Sequence, residues 1–136
     1  TVLWVPADSR AKSWKEFLEK DPYSKMGLIG KEPLIGLPPN EILQQLFQKE
    51  FDRHEVNWPV SVEVNSTDVV RDFVVRGFGV GIGIFIPDLP NPKGVKPLVL
   101  PNFPPLVIGA MYQGKAKGVV EDFLAIAKAH VTRFSK

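Results

Sequence analysis

The stretch "VEVNSTDVVRDFVVRGFGVGIGIFIP", residues 62–87, constrains the fold more than any other part of the chain. The alternating valines Val60, Val62 and Val64 lead into it, with the period of a strand that has one buried side. Asn65, Ser66 and Thr67 follow, a cluster whose short polar side chains suit the free N–H groups of a helix start. From about Asp68 to Arg76 the apolar residues Val69, Val70, Phe73 and Val74 recur at helical spacing. Gly77 stands where a helix that ends in left-handed backbone needs glycine. The run from Val80 to Ile86 then reads as a buried strand. Strand, helix and strand in immediate succession form the unit from which parallel sheets are built.

Glycines at 77, 79, 81 and 83 also raise the possibility of a dinucleotide loop. That loop needs a strand first, then G-x-G-x-x-G opening a helix that faces the pyrophosphate. Here the helix precedes the glycines and a strand follows them, so element order excludes it. Gly77 stops the helix and Gly79 serves a sharp turn. Gly81 and Gly83 lie on one strand face that something approaches closely, either a packed helix or a ligand.

Strands and helices alternate along the rest of the chain. "TVLWVP" is a short apolar run ended by Pro6. In "SWKEFLEK", Ser13 with Glu16 three residues on makes a capping-box pattern and predicts a short helix ending near Asp21 and Pro22. Residues 33–37 predict a second buried strand, stopped by Pro38 and Pro39. Asn40 is expected to cap a longer helix with Ile42, Leu43, Leu46, Phe47 and Phe51 inward and Gln44, Gln45, Gln48 and Lys49 outward. Pro87, Pro90 and Pro92 mark a loop; "VKPLVLP" predicts a short strand and "PPLVIGAMYQG" a longer one. A final helix is expected over 115–134, with Glu121 and Asp122 suiting its amino end. The alternation predicts an α/β fold, a mostly parallel sheet flanked by helices.

Hydrophobic residues make up 44% of the 136, enough for one domain with a substantial core. The net charge is +2 with no basic stripe, which gives no footprint for nucleic acid. The absence of cysteine excludes disulfides and thiolate metal sites. No apolar run reaches the ~18 residues of a membrane helix, and no segment reads as a signal peptide. The chain begins at Thr1 inside a strand-like run, as expected for a piece of a longer protein. No catalytic set is apparent: His54 and His130 have no partners at metal-ligand spacing and are expected at the surface, and no G-x-S-x-G elbow occurs. Trp4, Trp14 and Trp58 are expected in the core.

Chemistry concentrates instead at three helix starts, each after a strand: "GLPPN", "EVNST" and "MYQGKA". Helix amino ends offer unpaired N–H donors and partial positive charge, and open α/β sheets bind ligands off the carboxyl ends of their strands. Asn65, Ser66 and Thr67 therefore either cap their own helix alone or also hold a small anion or polar ligand.

The segments "VLWVPADS", "EPLIGLPPN", "VEVNSTDVVRDFVVRGFGVGIGIFIP", "VKPLVLPNFPPLVIGAMYQG" and "VVEDFLAIAKAH", in this order, resemble the effector-binding domain of LysR-type transcriptional regulators. The resemblance implies a type 2 periplasmic-binding-protein-like fold. Residues 1–136 would be a partial effector domain, with about 5–104 as the second subdomain and 105–136 as the return strand and last helix of the first. Two crossing strands, Thr1 to Pro6 and Pro105 to Gln113, would join the subdomains. The implied function is sensing of a small-molecule effector, with cleft closure coupled to DNA binding by a winged helix-turn-helix outside this stretch. Carried over position by position, the ligand contacts are Val5, Pro39, Asn40, Asn65, Ser66, Thr67 and Ile82. The expected partners are a small, polar, anionic metabolite and a second copy of the chain, in the cytoplasm, with no metal, no cofactor and no membrane. The rivals are a solute-binding protein of a transport system with the same fold and an enzyme on a related fold. The enzyme would need a paired acid and base or a cofactor lysine in the cleft.

Overall fold

A computed structural model describes residues 1–23, 27–86 and 89–134. Pro87 of the expected proline loop lies outside the described residues. The chain forms two units, Thr1–Phe85 with Asn91–Leu106, and Ile86–Pro90 with Val107–Lys136.

The first unit carries β1 (Val2–Pro6), a 3-10 helix (Trp14–Phe17), β2 (Leu18–Lys20), β3 (Leu28–Gly30), β4 (Leu34–Gly36), α1 (Ile42–Arg53), β5 (Val56–Asn57), β6 (Val60–Glu63), α2 (Thr67–Val75), β7 (Val80–Gly83) and β8 (Val95–Val99). The main sheet has the order β6-β4-β7-β1-β8, and β2-β3-β5 form a smaller one. β4 pairs parallel with β6 and β7, while β1 pairs antiparallel with β7 and β8. Four of the five main strands thus share one direction and β1 opposes them. The unit from β6 through α2 to β7 has the expected order, with a sheet position between its two strands filled by β4.

The glycine alternation has a packing cause. A Cβ on Gly81 would stand 2.3 Å from Val70 Cγ1, so α2 lies directly on the β7 backbone. A Cβ on Gly83 would stand 2.0 Å from Trp4 Nε1, so the indole of β1 fills that space. Of the two occupants open in the sequence, a helix takes the first position and an aromatic ring the second. Gly77, at φ 79°, closes α2 in a Schellman motif: its N–H donates to Val74 O at 3.0 Å, and Phe78 N–H donates to Phe73 O at 3.1 Å. The rings of Phe73 and Phe78 meet at 5.2 Å, the apolar contact that accompanies this motif.

Helices α1 and α2 cover opposite faces of the sheet. Gly81 pairs with Ile35 and faces α2; Gly36, the next residue of β4, faces Gln44 of α1. Leu43, Phe47 and Phe51 of α1 are buried as expected, as are Trp4, Trp14 and Trp58. Three expectations for α1 fail. Ile42 is 71% exposed, whereas Gln44 is buried. Asn40 is not the cap, because Glu41 N–H donates to Pro38 O at 2.9 Å and this turn moves the capping position to Glu41. The Glu41 side chain makes no capping bond. His54 is no simple surface residue either: its ring stacks on Phe103 at 5.8 Å and meets Trp14 edge-on at 5.7 Å.

The capping box of Ser13 and Glu16 is present, yet the helix is a single 3-10 turn. Leu18 leaves it to pair with Gly30, because β2 completes the small sheet.

In the second unit, α3 (Val119–Phe134) carries Glu121 and Asp122 in its first turn. No strand forms over 105–113, contrary to expectation. A strand needs a neighbour for its N–H and C=O groups, and no described strand pairs with this segment. Val107, Ile108 and Met111 are exposed, as are Phe123 and Ile126 of α3. A space of about 600 Å³ within this unit is lined by Ile108, Tyr112, Leu124, Ala127 and Val131.

Candidate functional site

The register of the main sheet brings two loops together. Gly36 and Glu63, the last residues of β4 and β6, are paired, so the chain leaves both strands at one edge of the sheet. Val64 N–H donates to Gly36 O at 2.9 Å and ties the exits to each other. One exit continues through Pro38, Pro39 and Asn40 into α1, the other through Asn65 and Ser66 into α2. The amino ends of a 12-residue and a 9-residue helix therefore flank this carboxyl edge, one on each sheet face.

At α2 the local chemistry is the expected one. Ser66 is the N-cap, in extended backbone, and its Oγ accepts from Val69 N–H at 3.4 Å. Thr67 is the first helical residue, and Asp68 in the first turn is ion-paired with Arg71. The Arg71 guanidinium lies 5.9 Å from the centre of the Trp4 ring. At α1 the uncapped Glu41 leaves the first N–H groups of the helix without a side-chain acceptor of that kind.

Of the seven residues expected at the site, five lie on the two segments that leave this edge. Pro39, Asn40 and Asn65 are exposed, and Ser66 and Thr67 are partly so. Val5 is not with them. β1 runs away from the carboxyl end of β7, from Val2 opposite Gly83 to Trp4 opposite Gly81, and Val5 comes after both, fully buried. Ile82 is near the right edge but projects away from α2 into the core, with no exposed surface.

Two residues escaped the sequence reading. Gln44 Oε1 accepts from Leu37 N–H at 3.0 Å, and Gln45 Nε2 donates to Pro39 O at 3.1 Å. Helical periodicity put both on the solvent face, and nothing in their spacing marks a contact with the preceding loop. A groove of about 520 Å³ runs beside them along α1, lined by Gln48, Asp52, Val60 and Glu63, and reaches the expected site only at Pro39. Among the described residues no group of three or more His, Asp or Glu side chains could hold a metal ion, and no helix is long and apolar enough to cross a membrane.

A mixed α/β sheet with helices on both faces, and helix starts gathered at the carboxyl edge of parallel strands, defines a type 2 periplasmic-binding-protein-like fold. Residues 16–132 match the family described as LysR substrate binding domain, and the chain belongs to that family. Its fold is similar to that of the Synechocystis PCC6803 CcmR regulatory domain, solved in complex with 2-PG, with a TM-score of 0.63 and 19% sequence identity. The similarity covers 94% of this chain and 61% of that one, so the chain spans less than two thirds of that domain. No curated protein matches the sequence significantly.

Proposed function

We propose that the chain is the effector-sensing part of a LysR-type transcriptional regulator and that it catalyses no reaction. The observation that carries this reading is the convergence of the α1 and α2 amino ends, with Pro39, Asn40, Asn65, Ser66 and Thr67, on one edge of the sheet. Unpaired N–H donors, an amide and hydroxyls suit a small anion, held without a buried cation. The complex of the CcmR regulatory domain with 2-PG supports an anionic effector here. In this reading residues of about 5–104 form one lobe, and 105–136 belong with a second lobe that supplies the other half of the cleft. The exposed apolar residues Val107, Ile108, Phe123 and Ile126 support that assignment. The effector binds the closed cleft better than the open one, and this difference shifts the geometry of a cytoplasmic dimer and its DNA-binding part.

Calorimetric titration of the full-length protein with 2-PG, inorganic phosphate, dicarboxylic acids and amino acids tests the reading. One anion is expected to bind saturably, and Asn65→Ala to weaken it by about tenfold, the worth of one hydrogen bond to a charged group. No saturable binding to any of them, or an affinity untouched by Asn65→Ala, overturns it.

A further inference from the structure

The loop that carries Pro39 and Asn40 is shaped by its two prolines and by the turn bond from Glu41 N–H to Pro38 O at 2.9 Å, but the helix it enters has no side-chain cap. Its side-chain anchors come from α1, at two points on either side of Pro38. Gln44, 5% exposed, takes the Leu37 N–H on its Oε1 at 3.0 Å. Gln45, on the exposed side, donates from Nε2 to Pro39 O at 3.1 Å. The fit at the first point is close: a Cβ on Gly36 would stand 2.5 Å from Gln44 Oε1 and 2.6 Å from Val60 Cγ2. One glutamine acts as acceptor and its neighbour as donor, so the pair fixes both the direction and the height of the loop above the helix.

We propose that Gln44 and Gln45 are positioning residues of the effector site, a clamp that holds the loop of residues 37–40 so that Pro39 and Asn40 face the effector beside Asn65, Ser66 and Thr67. This rests on the effector reading above. Released from the clamp, the loop spends only a fraction of its time in the binding path, and the apparent affinity falls by that fraction.

Gln45→Glu is the direct test, because it keeps the size of an exposed side chain and removes the donor, while Gln45→Lys restores a donor. Amide exchange of the peptide covering residues 36–43 and calorimetric affinity for 2-PG and inorganic phosphate are read in the full-length protein, with the melting temperature as control. In the anion-free protein Q45E is expected to speed exchange in that peptide at unchanged melting temperature, which isolates the lost bond, and to weaken binding by at least about fivefold, one lost hydrogen bond plus the repulsion of the new carboxylate. Q45K is expected to recover both. Gln44→Leu, which removes the acceptor, is expected to expose the Leu37 amide to exchange, with the Q45E result deciding if this buried variant fails to fold. Wild-type exchange and affinity in Q45E overturn the clamp and leave the effector reading standing, and so does a loss that Q45K fails to recover. If the wild-type protein binds neither these probes nor any other anion, the effector reading falls and the clamp's role in binding falls with it.

Discussion

At Gly81 the absent side chain matters because of Val70; at Gly77 it matters because of the backbone. A Cβ at 81 would collide with Val70 Cγ1 at 2.3 Å, whereas at 77 nothing lies within 4 Å and only the left-handed φ of 79° opposes a side chain. Gly81→Ala should cost about 1–3 kcal/mol by overpacking. Gly77→Ala should cost about 1–2 kcal/mol by backbone strain. Urea denaturation separates the causes: Val70→Ala should recover part of the Gly81→Ala loss and none of the Gly77→Ala loss. Equal recovery at both positions would contradict the assignment. The alternation was legible in the sequence because glycine every second residue has few causes in a strand. What filled each gap was not, because Val70 and Trp4 reach Gly81 and Gly83 only through tertiary packing.

Among the elements, α2 was readable to within a residue at each end, since its cap, its apolar stripe and its glycine stop all agree. α1 was readable in its buried stripe and misread at its start. Asn40 looks like a cap, but consecutive prolines tighten the turn and put Glu41 in that place. Ser66→Ala should therefore cost about 1 kcal/mol of stability. Asn40→Ala should stay within about 0.5 kcal/mol, its effect falling on anion affinity instead. Thermal denaturation of the two variants checks the contrast; a large loss for Asn40→Ala would restore it as a cap. The strand expected over 105–113 has the apolar pattern of one, but pairing is a property of two segments, and the pattern of one cannot supply it.

For the whole molecule, the first unit is a sheet with a helix on each face, and the second shows its apolar side chains to solvent. Val107, Ile108 and Met111 are 86%, 81% and 100% exposed, and Phe123 and Ile126 are 62% and 69% exposed. Apolar surface of this kind favours association. The 136-residue chain by itself should bind a hydrophobic dye and scatter more light per molecule as its concentration rises, and Ile108→Lys with Met111→Lys should lessen both. A monomer at every concentration that binds no dye would contradict this. Sequence order showed which segments belong to the carboxyl edge, but not that Val5 lies away from it. The direction of β1 against β7 decides that, and no local pattern records it. If an anion seats at that edge, hydrogen-exchange mass spectrometry of the full-length protein, with and without the tightest-binding anion, records it there. Protection is expected in the peptides covering residues 37–43 and 64–71; saturation without protection in either would contradict it.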